Sequence, residues 1–436
     1  MRQRGCALLL GTALCLGLFS GCGRGQDPNA LQVQPEKADR TVLTLYMPID
    51  GNTGSTGAYK DIIADFNACH QDLELRVDGI STADGFNQAL EQRLEAGGEG
   101  ADLFIVNADR VKGLQAEGYF QDLSGLPAYE MLSDAARDQA TVDGLAYAIP
   151  LEMTAYGLYV NVGLLREHGL EPPRDREAFL RCCRVLKDGG VTPIGINRWY
   201  AMTAPAMAGG LAPLYQSPDR ADLIQGLNDG SVKISAYMLD GFRFFEELVR
   251  QGYYGDGLTP EAVDKIKAGS VELDAFTAGQ VAFLVLPMGN EKLIESAAPG
   301  LELIEQGIPA LDGGSVSLPS TAARLCVNAK GAHLEAAMEA AEYLTSSKAE
   351  EFLAGASKYV PAIQGAEPPE IDPRAQALYE LAVSPGQVPI EDMSLDFDYW
   401  GTIRELCLKI VGGMSAEEAA REYDRIQMEW IGADGA

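Results

Sequence analysis

The residues that could do chemistry are gathered in loops, and their types favour binding over bond-breaking. MPIDGNTGSTG supplies Asp50, Asn52 and Thr53. VNADRV supplies Asn107, Asp109 and Arg110. A charged acceptor beside a forked donor suits a ligand made of hydroxyls, because charge-assisted hydrogen bonds are the strong ones. The same two residues also suit a helix N-terminus, where an acid is favourable in any case, and spacing leaves both readings open. INRWY adds Asn197, Arg198, Trp199 and Tyr200. Of the 3 tryptophans, Trp199 and Trp400 follow polar loops at expected helix starts, whereas Trp430 lies near the polar C-terminal tail. An indole offers a flat apolar face and one donor, which matches the C–H face and hydroxyls of a sugar ring. Trp199 and Trp400 fit that role and an ordinary core role equally; Trp430 is read as an ordinary aromatic.

Signatures of catalysis are absent. The chain has no G-x-S-x-G, no H-E-x-x-H and no G-x-x-x-x-G-K-[ST]. GNTGSTG after the first expected strand lacks the lysine of a phosphate loop. Among 63 acids no pair stands out as the two carboxylates of a glycoside-cleaving site. With 3 histidines and no CxxC, no metal or other cofactor is expected.

These loops need elements to position them. Thr41–Met47, Leu73–Val77 and Asp102–Val106 read as strands, alternating with helices over Tyr59–Cys69 and Phe86–Leu94. Tyr147–Asn161, YAIPLEMTAYGLYVN, is apolar but interrupted by Pro150, Glu152, Thr154 and Gly157, as expected of a segment that leaves one sheet and enters another. Alternation then resumes with helices over Arg174–Lys187, Trp199–Ala208 and Tyr237–Arg250. Strands are expected at Thr192–Ile196, Gln280–Leu286, Leu301–Glu305 and Arg324–Asn328, and a second crossing around Pro309–Ser320. The remainder, from His333, is mainly helical. This predicts an α/β chain with two mostly parallel sheets flanked by helices, and a ligand between them, outside the carboxyl ends of the strands.

Length supports more than one core: 436 residues, 47% hydrophobic. A net charge of −29 disfavours nucleic acid and anionic lipid headgroups as partners. Arg2 and Arg4 precede an apolar run, Cys6–Phe19, of signal-peptide length and too short to span a bilayer. It ends in FSGC, which resembles a bacterial lipobox with Cys22 as the lipidated residue; Phe19 stands where leucine is usual. The division expected is 1–21 leader and 22–40 flexible tether, since Gly23–Arg40 is polar and rich in Gly, Gln, Asp and Pro. Of the cysteines left, Cys69, Cys326 and Cys407 are read as small core residues, and with Cys182 and Cys183 they make an odd set that argues against a disulfide framework.

Several runs together resemble the extracellular solute-binding proteins of ABC importers, the carbohydrate-binding family that includes maltodextrin-binding protein. They are DLFIVNADRVKGLQAEGYFQDL, YAIPLEMTAYGLYVNVGLLREHGLEPPRDREAFL, NRWYAMTAPAMAGG, FTAGQVAFLVLPMGN and MSLDFDYWGTIRELCLKIVGGMSAEEAA, and the similarity spans Thr41–Trp430. The resemblance implies a two-lobed periplasmic-binding-protein-like fold of type II, with 41–148 plus 312–365 as the first lobe and 149–311 plus 366–436 as the second. It implies ligand contacts from Asp50, Asn52, Asn107, Asp109 and Arg110 on one side and from Thr154, Tyr156, Trp199, Asn290 and Trp400 on the other. It also implies a monomer on the outer face of the cell membrane, held by lipid on Cys22, that delivers a mono- or oligosaccharide to the membrane permease. Gly289–Asn290 stands where the family usually has an aromatic, and Val106 where some members have tryptophan, so the pocket differs from a maltodextrin site. A secreted glycoside-acting enzyme and a surface lipoprotein acting as sensor or adhesin are the alternatives.

Overall fold

The β-branched and aromatic residues of TVLTLY form β1 (Thr41–Tyr46), with Leu43, Leu45 and Tyr46 buried. The computed structural model describes residues 40–436 except 50–53, 81–84, 107, 143, 197–198, 266–270, 322, 358–359, 367–368 and 435–436; side chains at 54–56, 108–109, 264–265, 271–272, 354–357 and 433–434 are also outside the description. The leader, the tether up to residue 39, Cys22, Asp50, Asn52 and Asn107 therefore lie outside the described residues, and Asp109 is placed only by its backbone, in the helix Ala108–Ala116.

The further strands are β2 (Leu73–Asp78), β3 (Leu103–Val106), β4 (Thr141–Val142), β5 (Leu145–Ala146), β6 (Ile149–Pro150), β7 (Met153–Asn161), β8 (Thr192–Ile194), β9 (Val281–Pro287), β10 (Leu303–Gln306), β11 (Ile308–Leu311), β12 (Gly314–Val316), β13 (Leu318–Thr321) and β14 (Arg324–Val327). One sheet has the order β2-β1-β3-β14-β6; another has β10-β7-β9-β8, with β13 also on β7. In each sheet all strands but one point the same way. The reversed strands are β14 in the first and β7 in the second, each antiparallel to its neighbours. Both are strands on which the chain arrives from the other sheet, and an arriving chain enters from the opposite end.

Each sheet is covered on both faces. Leu43, Leu45, Leu103 and Ile105 face one core of the first sheet, while Tyr46, Phe104 and Val106 face another. In the second sheet Leu158, Val160, Phe283 and Val285 face a large core, and Tyr159, Leu284 and Leu286 a smaller one.

The first passage runs from β6 to β7 through Leu151 and Glu152. The stretch around Pro309–Ser320, expected to be the second passage, holds the β11–β12 hairpin and β13. Ala310, Val316 and Leu318 are buried in the second sheet's large core, so the return to the first sheet comes between Thr321 and Arg324. A third segment, Val388–Tyr399, touches both cores, with Met393 in the first sheet's and Leu395 and Phe397 in the second's.

Gly157, an interruption in the sequence pattern, is a packing necessity. A Cβ there meets the Gln306 carbonyl oxygen at 2.5 Å and Leu378 Cδ1 at 2.6 Å. Gly241 serves the helix pair Tyr200–Tyr215 and Ser235–Arg250 likewise: its Cβ would stand 2.0 Å from the Ala206 carbonyl oxygen. Cys182, Cys183, Cys326 and Cys407 are buried and free, but Cys69 is exposed, contrary to its expected core role. It is the last residue of the helix Gly54–Cys69, beyond the turn that Phe66 anchors.

Candidate functional site

β7 belongs to both halves of the molecule. Met153 and Ala155 pack in the first sheet's core, together with Met288 and Leu378. Thr154, Tyr156, Leu158 and Val160 lie on the opposite face by strand alternation, and the last two enter the second sheet's large core. Thr154 and Tyr156 thus stand where that core gives way to the passage between sheets. Thr154 is 8% exposed, and its buried Oγ1 has no hydrogen-bond partner among the described residues. Buried hydroxyls are normally satisfied, so this one marks a place where a polar group from outside fits.

A row of aromatic side chains starts at Tyr156. Its ring stacks on Tyr200, with centroids 4.1 Å apart and planes 21° from parallel, and Tyr200 lies 5.4 Å from Trp400 at 33°. The guanidinium of Arg404, one turn along the helix Trp400–Val411, sits 4.8 Å over the Trp199 ring. All four rings are half-buried against the second sheet's core. Trp199 and Tyr200 are carried by the N-terminus of the helix Tyr200–Tyr215, which is buried at nearly every position. Trp400 opens its own helix, braced by the Tyr399 hydroxyl donating to the Pro389 carbonyl oxygen at 2.9 Å. Burial pushes the Tyr200 hydroxyl above the ordinary tyrosine range; a hydrogen bond with Tyr156 opposes this, and the charge of Glu391 adds to it.

The turn after β9 adjoins this set. Pro287 is paired with Tyr156, and Met288 N donates to the Ala155 carbonyl oxygen at 3.0 Å. Asn290 fixes the turn: its Nδ2 donates to the Pro287 carbonyl oxygen at 2.8 Å, and its backbone N–H to the Tyr159 hydroxyl at 3.1 Å. Arg110 is engaged elsewhere. It forms an ion pair with Glu91 of the helix Phe86–Glu95 and lines a surface pocket with Glu95, Glu117 and Tyr119. The described residues therefore bring Tyr156, Tyr200 and Trp400 into one row, with Thr154 on the same face of β7 and Trp199 under Arg404; Asn290 is held by Pro287 and Tyr159, and the Tyr159 ring lies on the other face of β7.

Sequence reading named Tyr200 only as a loop residue and passed over Arg404, Glu391 and Arg324. Tyr200 had a local signal, its place directly after Trp199. Glu391 had none, because its neighbours are Arg324, whose Nη2 is 3.4 Å from Glu391 Oε2, and Tyr200.

The model of the family described as bacterial extracellular solute-binding protein matches residues 51–351. The chain belongs to that family. This solute-binding protein is 22% identical over 304 residues to a multiple sugar-binding protein of Streptococcus mutans, covering 66% of this chain and 68% of the relative. Its fold resembles that of a family 1 extracellular solute-binding protein from Bifidobacterium longum subsp. infantis, with a TM-score of 0.72, 17% identity, and 89% and 99% of the two chains covered. It also resembles a sugar transporter from Bacillus licheniformis solved in complex with stachyose, with a TM-score of 0.60, 15% identity, and 88% and 98% covered. The two-sheet α/β architecture with chain passages between the sheets is thus the two-lobed type II arrangement anticipated above. Among the described residues no helix is long and apolar enough to cross a membrane, and no group of three His, Cys, Asp or Glu side chains could hold a metal ion.

Proposed function

We propose that this solute-binding protein captures a small carbohydrate, a mono- or oligosaccharide, between its two lobes and hands it to the membrane permease of an ABC transporter. The observation that carries the reading is the ladder Tyr156–Tyr200–Trp400 at the foot of the passage between sheets, with the Thr154 hydroxyl, which has no partner among the described residues, on the same face of β7. Half-buried aromatic faces with polar groups at their edges suit a ring that has C–H bonds on its faces and hydroxyls around its rim. Trp199 and Trp400 cover ring faces in this reading. In this reading the hydrogen bonds to the ligand come from Asp50, Asn52, Asn107 and Asp109 on the first-lobe side and from Thr154, Tyr156 and Asn290 on the second; Arg110 is set aside, because it pairs with Glu91. The kinship with a multiple sugar-binding protein and the likeness to a transporter that holds stachyose support the choice of ligand class. Closing the lobes about the passages buries the ligand and forms the surface the permease reads. A lipid on Cys22 keeps the protein at the outer face of the cell membrane.

The test is a thermal-shift panel of raffinose, stachyose, maltotriose, xylotriose and chitotriose, followed by calorimetric titration of those that shift the melting curve. The reading predicts a saturating shift with no product released. It fails if no carbohydrate shifts the curve, or if a sugar is consumed.

A further inference from the structure

The return passage that begins at Thr321 is braced by the first lobe. The helix Asp134–Asp138 buries Ala136 in the first sheet's core. Just beyond it, Gln139 Oε1 accepts from the Thr321 backbone N–H at 3.0 Å and from the Thr321 hydroxyl at 3.2 Å. Asp138, 9% exposed, meets the second lobe: Arg220 Nη2 donates to its Oδ1 at 2.5 Å. Arg220 opens the helix Arg220–Asp229, which Ile224 and Leu227 anchor in the second sheet's core. This ion pair therefore bridges the lobes.

The segment Val388–Tyr399 brings a second acid to the same place. Met393 N donates to the Asp138 carbonyl oxygen at 3.1 Å. Asp392, 6% exposed, accepts from the Tyr215 hydroxyl and from the Ser394 N–H, each at 2.8 Å. The Arg220 guanidinium lies 5.8 Å over the Tyr215 ring. Asp134 of its own helix and the phenols of Tyr215 and Tyr399 also act on or feel the charge of Asp138. The neighbouring acids of the segment, Glu391 and Asp396, pair with Arg324 and Lys112. Two buried carboxylates thus meet the one guanidinium of Arg220. Beside the bridge lies a cavity of about 460 Å³ between the lobes, lined by Thr141, Ala221, Ile224, Asn228, Ser394 and Asp396.

The three groups carry one net negative charge when both acids are ionised and none when one acid holds a proton. Burial favours the neutral count. It pushes the Asp138 carboxyl up from 3.8 to about 7; the charge of Asp392 adds to this, and Arg220 opposes it.

We propose that Asp138, Asp392 and Arg220 form a pH-sensitive latch between the lobes, firm while a proton rests on the acid pair and slack once that proton leaves. Opening the bridge exposes Asp138 to water, and an exposed aspartate releases its proton near 3.8. The intact bridge is therefore fully stabilised below that value, weakens as pH rises, and is weakest once Asp138 ionises near 7. Proton-bound Asp138 still accepts from Arg220 through its carbonyl oxygen. Because the bridge adjoins the return passage, its strength bears on the motion of one lobe against the other. The latch acts whatever solute the cleft takes.

The experiment follows amide hydrogen exchange of the full chain by mass spectrometry, without sugar, at pH 5.5 and pH 8, with each rate corrected for the intrinsic rate at that pH. The variants are Asp138→Asn, which keeps the shape of the protonated carboxyl, and Arg220→Gln. In the wild type, protection of residues 134–142, 219–229 and 390–396 should fall about 10-fold from pH 5.5 to pH 8, relative to the strand Thr41–Tyr46. The 1.5 units from pH 5.5 to 7 cap the change at about 30-fold, and water entering the cavity lowers it. In Asp138→Asn the fall should vanish, with protection at pH 8 staying at the acidic level; a merely structural aspartate would not remove a pH dependence. Arg220→Gln should lower protection on both sides of the bridge. No fall in the wild type, an equal fall in Asp138→Asn, or a loss in Arg220→Gln confined to one lobe overturns the latch. If Arg220→Gln does not fold, the wild type and Asp138→Asn decide the matter between them. The carbohydrate reading is untouched by any of these results, since no sugar enters the measurement.

Discussion

Replacing Glu350 with glutamine should stabilise this protein at alkaline pH and leave it nearly unchanged at pH 5. Glu350 lies on the helix Ser347–Ser357 of the first lobe, 2% exposed, near Glu152, which is 4% exposed in the passage from β6 to β7. Burial pushes the Glu350 carboxyl up from 4.5 to about 8; the backbone N–H of Ala362 opposes this, and the charge of Glu152 adds to it. The folded state therefore holds a proton that the unfolded chain releases. Stability is fully present below the unfolded value near 4.5 and falls as pH rises, until the folded carboxyl ionises near 8. The slope is about 1.4 kcal/mol per pH unit, so the span of roughly 3.5 units caps the cost at about 5 kcal/mol. Relaxation and entry of water around the ionised group reduce this, and about 1–3 kcal/mol is expected. Glutamine carries no proton to lose. Urea unfolding of the wild type and Glu350→Gln at pH 5, 6.5 and 8 should show the variant gaining stability steadily with pH. A constant difference between the two proteins, or a variant less stable at pH 8 than at pH 5 relative to wild type, would refute the argument from burial.

Other outcomes follow from the structure and, for Cys22, from the sequence. Trp400→Ala removes one end of the ring ladder and should weaken sugar binding about tenfold while leaving the far-ultraviolet circular dichroism unchanged. Gly157→Ala should cost about 2 kcal/mol in urea unfolding, because the added methyl meets the Gln306 carbonyl oxygen at 2.5 Å and Leu378 has to move. Cys22→Ser should release the protein from the producing cells into the medium; continued membrane association, measured by fractionation, would show that Cys22 is not the anchor.

The elements with strong local periodicity were legible in the sequence. TVLTLY, DLFIV and QVAFLVL are apolar, bounded by turn residues, and form β1, β3 and β9. The broken run Tyr147–Asn161 was legible as a passage because Pro150 and Gly157 punctuate it; the structure divides it into β6 and β7 at Leu151–Glu152. The return passage was not legible. Val316 and Leu318 alternate as any half-buried strand does, and only their partners decide which core they enter. Of the candidate site, Trp199 and Trp400 were visible because tryptophan is scarce in this chain. Tyr200 as a link between Tyr156 and Trp400, and Glu391 as the partner of a buried arginine, depend on residues far apart in the chain. Pattern within a window carries no trace of such pairs. Arg110 shows the reverse case: its neighbour in sequence suggested one role, while Glu91, on the preceding helix, is the acid it pairs with.

The central claim is that the cleft binds a small carbohydrate without altering it, and calorimetric titration of the full chain against the oligosaccharide panel tests it most directly. The account predicts saturable one-to-one binding of at least one sugar, recovered intact, with a gain in unfolding free energy of about 2.7 kcal/mol at a hundred times the dissociation constant. Heat and melting curves indifferent to every sugar, or recovery of a cleaved product, would contradict it.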